Sequence, residues 1–190
     1  MFAPARVGAR VVGNSALCGV MASCVRGVED ARSVCARDAA HVAATSRVLP
    51  PLLLVADFDG TLVSVDTDAA IMSAFDPPAL VETSRAYAAG ASWSALMTAV
   101  YAKAAAGGAT RADIDAVLVG VPMWPEMVQL LHAASTHGVR VAILSDANEH
   151  AIETILGAYG VRDCVTCVGT NAARWSTDGA LEVQPFTPPE

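Results

Sequence analysis

Two short polar segments follow apolar runs in this sequence and contain the side chains best suited to chemistry. The first, Asp57-Phe58-Asp59-Gly60-Thr61-Leu62, follows the apolar run at residues 52–56, and the second, Ser145-Asp146-Ala147-Asn148, follows the run at residues 139–144. Two carboxylates two positions apart repel each other, and this repulsion favours a divalent cation. A carboxylate held in this way can attack phosphorus and form an aspartyl-phosphate, while its neighbour moves the proton.

Neutral hydrogen-bond donors in the same two segments are suited to binding a phosphate. Gly60 and Thr61 predict a turn whose backbone N–H groups face phosphate oxygens, and the Ser145 hydroxyl, at a predicted helix N-terminus, is a further donor. Any one of these residues is more often a helix cap or part of a turn than a catalyst. The whole combination is far more specific, and it predicts phosphoryl transfer.

The apolar runs before the two segments are typical of strands buried on both faces of a parallel sheet. A helical pattern at residues 126–136 ends at His137-Gly138, just before the second run. The spacing from Asp146 to Glu149 is that of a capping box and predicts a helix over residues 147–159. Strands that alternate with helices predict an α/β fold with a parallel sheet.

About 80 residues separate the first two strands, far more than one crossover needs. They are mostly helical in pattern, which predicts a small helical insert above the strand ends. The predicted helices are 68–74, 79–89, 93–106 and 111–119; the predicted organisation is a leader at 1–50, core at 51–68 and 120–190, and the insert at 69–119.

The last part of the chain predicts a third strand and a hairpin. Residues 164–168 have the pattern of a strand, and the segment from Asn171 to Pro185 contains Asp178-Gly179, a strong signal for a hairpin turn. Cys164 and Cys167 form a CxxC without a second pair, so a core strand is favoured over metal or redox chemistry.

The first segment resembles motif one of the haloacid dehalogenase (HAD) superfamily, and Ser145 after the second run resembles its motif two. The resemblance extends over roughly residues 52–187 to the phosphoethanolamine/phosphocholine phosphatase family. It rests on Asp66-Thr67-Asp68, Ile143-Leu144-Ser145-Asp146-Ala147-Asn148, Thr170-Asn171-Ala172, Asp178-Gly179 and Val183-Gln184-Pro185.

The resemblance implies a HAD-like Rossmannoid sheet with a helical cap inserted between the first two motifs. It implies that Asp57 is the nucleophile and Asp59 the general acid/base, and that Mg²⁺ binds the Asp57 side chain and the Asp59 backbone carbonyl. The family's substrate-contacting acids fall on Asp68 and Asp146. Such acids suit a cationic head group, for which Trp93, Tyr87 and Trp124 are candidate aromatic contacts, with core packing as the alternative.

The superfamily's third and fourth motifs, a Lys or Arg and one or two further acids, are not evident. The only lysine, Lys103, comes before motif two. We therefore expect a core that is incomplete at the C-terminus and a chain with weak or no activity. The alternatives are another HAD phosphatase, acting on pyridoxal phosphate or phosphoserine, and a non-catalytic remnant.

The charge distribution indicates which partners to expect. The net charge is −7, with six arginines and three acids in residues 1–50 and the acidic excess in the remainder. This balance argues against a nucleic-acid or membrane partner and favours a small phosphorylated substrate. The five cysteines, an odd number, favour a reducing compartment and a cytoplasmic location, or a mitochondrial or plastid one if residues 1–28 are a presequence.

Overall fold

Four strands form one sheet in the order β1-β2-β3-β4 in the computed structural model, which describes residues 52–186. The predicted leader, residues 1–50, lies outside the described residues. β1 pairs in parallel with β2, and β2 in parallel with β3, whereas β3 and β4 form an antiparallel hairpin. The strands are β1 (Leu53–Ala56), β2 (Arg140–Asn148), β3 (Cys167–Trp175) and β4 (Leu181–Gln184).

Between residues 52 and 186 six α-helices accompany the sheet, and the first four of these lie between β1 and β2 in the chain. They confirm the helical pattern of that segment to within a residue at most ends. The helices are α1 (Thr67–Phe75), α2 (Ala79–Ala88), α3 (Trp93–Ala106), α4 (Arg111–Val119), α5 (Pro125–Thr136) and α6 (Glu149–Ala158).

One apolar core joins the sheet to the helices. Ile143 of β2 is fully buried in the same apolar cluster as Leu131 of α5 and Ile152 of α6. Phe58, at the end of β1, is also fully buried in this core. Burial of side chains of this size contributes roughly 1.5–3 kcal/mol each, so the loop after β1 is fixed to the core by its own phenylalanine.

The segment after the apolar run of β2 differs from its prediction. β2 continues to Asn148, because after an irregularity past Leu144 it pairs again with β3, where Asn148 lies opposite Asn171. Helix α6 therefore begins at Glu149, and its N-cap is Asn148, whose side chain accepts a hydrogen bond from Ala151 N. The predicted capping box at Asp146 is wrong.

The predicted third strand is placed too early. Residues Arg162–Cys164 form a 3₁₀ helix, and β3 begins at Cys167. The two cysteines of the CxxC therefore do not lie on one strand. The Cys164 Sγ instead contacts His132 Nδ1 of α5 at 3.7 Å.

Helix α3 covers the edge of the sheet at β4. Thr98 Oγ1 accepts a hydrogen bond from Val183 N at 2.9 Å and donates one to Val183 O at 3.2 Å. An unpaired strand edge exposes backbone donors and acceptors, and here one threonine satisfies one of each. This contact joins the helical segment directly to the hairpin.

None of the helices between residues 52 and 186 combines the length and the apolar character that a membrane crossing needs.

Candidate functional site

The loop after β1 is a tight turn around one carbonyl. Phe58 O accepts hydrogen bonds from the backbone N–H groups of Thr61, Leu62 and Val63, at 3.2, 2.9 and 3.2 Å. Gly60 has φ +67°, a left-handed conformation that is accessible to glycine without strain. The Thr61 amide thus donates inside the turn, and its contact with a phosphate stays a prediction. Gly60 and the Thr61 side chain lie exposed at the surface of the loop.

The two carboxylates of the first motif have different surroundings. Asp57 is exposed at the end of β1, and its Oδ1 accepts a 2.7 Å hydrogen bond from Phe58 N. Asp59 is half-buried, and its Oδ2 accepts a 3.0 Å hydrogen bond from Thr67 Oγ1. Burial raises the pKa of Asp59 to about 7, although the Thr67 hydrogen bond opposes the shift. Asp59 can therefore hold a proton near neutral pH beside an open carboxylate.

The first turn of α1 brings further acids to the loop. Asp66 caps the helix by accepting a hydrogen bond from Ala69 N at 2.8 Å. Asp68 is only 5% exposed, and its Oδ2 accepts a 2.7 Å hydrogen bond from the indole Nε1 of Trp93. Burial, followed by the charge of Asp66 and that of Asp146, raises the pKa of Asp68 to about 7 against this hydrogen bond.

The second motif lies in the irregular part of β2. Partial burial raises the pKa of Asp146, and the nearby charges of Asp57 and Asp66 raise it further. The two motifs therefore meet, as the sequence predicts for the carboxyl ends of adjacent parallel strands. Ser145 is not at a helix N-terminus, contrary to expectation, and its Oγ accepts a 3.2 Å hydrogen bond from Ala147 N.

Side chains of β3 hold this irregular segment in place. Thr170 Oγ1 donates to Ala147 O at 2.8 Å, and Asn171 Nδ2 donates to Asp146 O at 2.7 Å and to Ala147 O at 3.0 Å. Asn171 Oδ1 in turn accepts a hydrogen bond from Phe186 N at 3.0 Å. Thr170 and Asn171 therefore satisfy backbone carbonyls that the break in sheet pairing leaves free.

A pocket of about 470 Å³ opens beside these residues. Asp59, Asp68 and Asp146 of the predicted set line it, whereas Asp57, Gly60, Thr61 and Ser145 are not among its lining residues. Among the described residues no lysine, arginine or histidine lines it. The lining residues are Asp59, Asp66, Asp68, Tyr87, Ser92, Trp93, Ser94, Asp146, Asn171 and Pro185.

Two of the three aromatic candidates meet at this pocket. The Tyr87 and Trp93 rings lie 5.5 Å apart between centroids and nearly perpendicular, at 79°. Trp124 is not among the lining residues and is 45% exposed at the N-cap of α5. Asp66 also lines the pocket. It was not among the predicted site residues, although it belongs to the acid-rich segment Asp66-Thr67-Asp68.

The oxygen donors of the first motif suit a hard cation. Between residues 52 and 186, no group of three or more His, Cys, Asp or Glu residues could hold a metal ion by itself. Mg²⁺ commonly binds through one or two carboxylates together with water and substrate phosphate. Asp57 supplies an exposed carboxylate, and the resemblance implies the backbone carbonyl of Asp59 as the second ligand. The Asp59 carboxyl is left for proton transfer, and its Oδ1 is buried without a hydrogen-bond partner among the described residues. Lys103, in contrast, is not at this site, since its Nζ donates to both oxygens of Asp76 at 2.8 and 2.7 Å.

Comparisons with known proteins agree with the motifs. The model of the family described as Putative Phosphatase matches residues 52–188. Human phosphoethanolamine/phosphocholine phosphatase is 29% identical over 72% of this chain and 52% of its own length. Inorganic pyrophosphatase 2 of Arabidopsis thaliana is 27% identical over 71% of this chain and 47% of its own length. A pyridoxal phosphate phosphatase of Bos taurus is 28% identical over 70% of this chain and 56% of its own length. The chain thus spans about half the length of these curated relatives.

Solved structures confirm the fold. A HAD family hydrolase from Salmonella enterica superposes with a TM-score of 0.53 at 16% identity, over 72% of this chain and 46% of that chain. A phosphoserine phosphatase solved as a phospho-aspartyl intermediate analogue superposes with a TM-score of 0.51 at 17% identity. The superposition covers 72% of this chain and 64% of that chain. The family match covers more than half of the chain, so the protein belongs to this phosphatase family within the haloacid dehalogenase superfamily.

Proposed function

We propose that this chain carries the nucleophile and the general acid/base of a phosphomonoester hydrolase. The observation that supports this most is the pairing of an exposed carboxylate, Asp57, with a half-buried carboxyl two residues later, Asp59, which Thr67 holds in place. An open carboxylate can reach phosphorus, whereas a carboxyl in a protected position is better suited to proton transfer.

The proposed reaction has two steps. An Asp57 oxygen attacks phosphorus, the bond from phosphorus to the ester oxygen breaks, and Asp59 gives its proton to the departing alcohol. Asp59 then takes a proton from water, whose oxygen attacks phosphorus and releases inorganic phosphate from Asp57. Gly60, Thr61 and Ser145, around the same strand ends, are the proposed phosphate-side residues.

Asp57 and Asp59 are also the residues that would hold Mg²⁺. When bound, the ion would neutralise charge on the phosphoryl oxygens. The protein's own acids would otherwise repel a phosphate, because Asp59, Asp66, Asp68 and Asp146 all line the pocket.

For the rest of the substrate we propose a small cationic head group. The pocket combines four aspartates with the aromatic pair Tyr87 and Trp93, and no basic side chain of the described residues lines it. Negative charge and aromatic rings together favour an amine or a quaternary ammonium group. Similarity to the human phosphoethanolamine/phosphocholine phosphatase supports this choice.

The test is phosphate release from a panel of monoesters by the full chain with Mg²⁺. Phosphoethanolamine and phosphocholine should be the preferred substrates over phosphoserine and pyridoxal phosphate. Asp57→Asn should lower turnover by at least about 10³-fold, as the loss of a nucleophile does elsewhere, whereas Asp178→Asn, in the turn between β3 and β4, should leave it unchanged. Turnover that Asp57→Asn leaves unchanged, or a preference for phosphoserine or pyridoxal phosphate, would overturn the proposal. Absence of turnover on the whole panel would support the non-catalytic alternative instead.

A further inference from the structure

The Asp68 carboxylate borders the pocket but is largely covered there. Oδ2 accepts the hydrogen bond from Trp93 Nε1 at 2.7 Å, and Oδ1 is buried without exposed surface. The residue as a whole is 5% exposed. A cation in the pocket would therefore meet another group before it could meet this carboxylate.

Trp93 is the group in that position. It lines the pocket, it is more exposed than Asp68, and its ring packs against Tyr87, which also lines the pocket. An aromatic ring attracts a cation through its quadrupole, and tryptophan does so most strongly. A carboxylate that accepts the indole N–H adds electron density to that ring and fixes its orientation.

We propose that Trp93 is the residue that contacts the cationic head group of the substrate, and that Asp68 is a positioning residue that acts through the Trp93 indole. This inference rests on the proposed function, since it takes a cationic phosphomonoester as the ligand. It changes the expectation from the sequence, in which Asp68 itself touches the substrate. The remaining acids that line the pocket are Asp59, Asp66 and Asp146.

The experiment compares a charged ligand with its neutral isostere. Phosphocholine and 3,3-dimethylbutyl phosphate have the same shape, but only the first carries a positive charge. Their dissociation constants with Mg²⁺ are measured by calorimetry on the full chain in an Asp57→Asn background, which prevents hydrolysis and is the parent, or wild type, of this comparison. The ratio of the two constants is the readout, because a merely structural defect would weaken both ligands alike.

The wild-type chain should bind phosphocholine about tenfold more tightly than the isostere, the preference that a tryptophan–cation contact provides. Trp93→Leu should abolish this preference, and Trp93→Phe, which keeps a ring but loses the N–H, should retain part of it. Asp68→Asn should keep most of the preference, because the asparagine oxygen can still accept the indole hydrogen bond. Trp124→Phe, outside the pocket, is the matched control and should behave as the wild type.

Three other outcomes would each overturn part of this proposal. If Asp68→Asn abolishes the preference while Trp93→Leu preserves it, Asp68 contacts the cation directly and the inference is wrong, although the proposed function stands. If the wild type binds both ligands equally, the cationic head group is wrong, and the inference is wrong with it. If the wild type binds neither ligand, the proposed function itself is overturned.

Discussion

Thr67 Oγ1 donates a 3.0 Å hydrogen bond to Asp59 Oδ2, which joins the first residue of α1 to the loop after β1. Thr67 is fully buried. Because the other Asp59 oxygen has no partner among the described residues, this bond is what orients the carboxyl. The helix that follows motif one therefore has a direct role in placing the proposed general acid/base.

Replacing Thr67 with valine should expose this dependence. Thr67→Val removes the hydroxyl donor but keeps the branched shape, so Asp59 Oδ2 loses this hydrogen bond. We expect the free energy of unfolding to fall by about 1–3 kcal/mol, measured by urea denaturation. Thr67→Ser keeps a hydroxyl and should restore most of the loss. Equal stability of the valine variant and the wild type would show that the bond does not matter.

Neutralising Asp68 should stabilise the protein at high pH. Burial raises the pKa of Asp68 from 3.8 to about 7, with the charges of Asp66 and Asp146 adding to the shift, and Tyr101 and Asp59 lie near enough to interact with its charge. Between pH 4 and pH 7 the native state then holds more protons at this site than the unfolded state. The stability of the wild type therefore falls as the pH rises through this range.

The stability of Asp68→Asn should not fall in this way between pH 4 and pH 7. This variant should have a free energy of unfolding higher than that of the wild type by up to roughly 3 kcal/mol at pH 8, with little difference at pH 4. Asp113→Asn is the contrasting control. The Thr110 hydroxyl lowers the pKa of Asp113, so its neutralisation should reduce stability at pH 8. A gain for Asp68→Asn that does not depend on pH would contradict this explanation.

The sequence was most informative where local pattern decides structure. The limits of α3 and α4, the hairpin around Gly179 and the meeting of the two motifs follow from periodicity, turn chemistry and the geometry of parallel strands. The extension of β2 to Asn148 could not be predicted, because it depends on renewed pairing with Asn171 of a later strand. Likewise, the bond from Trp93 to Asp68 joins residues of two different helices, and neither residue alone indicates it.

A side chain at Gly60 should destabilise the protein despite the open space around this residue. A Cβ atom would meet nothing within 4 Å, but φ is +67°, so Gly60→Ala should cost about 1–2 kcal/mol in stability. Gly157 is the matched control, since it lies inside α6 with equally open space and no positive φ. Gly157→Ala should stabilise the protein by about 0.5–1 kcal/mol. Thermal denaturation of both variants is the measurement, and effects of the same sign would contradict the backbone argument.

The contact of α3 with β4 should contribute measurably to the stability of the protein and should protect the edge of the sheet. Thr98→Val removes two hydrogen bonds to Val183, and we expect a loss of about 1–3 kcal/mol and faster hydrogen exchange at the Val183 amide. Thr136→Val is the control. The hydroxyl of Thr136 is exposed and donates only to His132 O, one turn earlier in the same helix. If Thr98→Val leaves hydrogen exchange at the Val183 amide unchanged, Thr98 does not protect the strand edge.

The central claim is that Asp57 becomes phosphorylated during turnover. The most direct test uses p-nitrophenyl phosphate, whose leaving group needs no proton, with the Asp59→Asn variant and Mg²⁺. Loss of Asp59 should slow hydrolysis of the intermediate, so that the phosphorylated chain accumulates and can be mapped by mass spectrometry after acid quenching. We predict the phosphoryl group on Asp57. Phosphorylation of another residue, or release of p-nitrophenol without any phosphorylated chain, would contradict the claim.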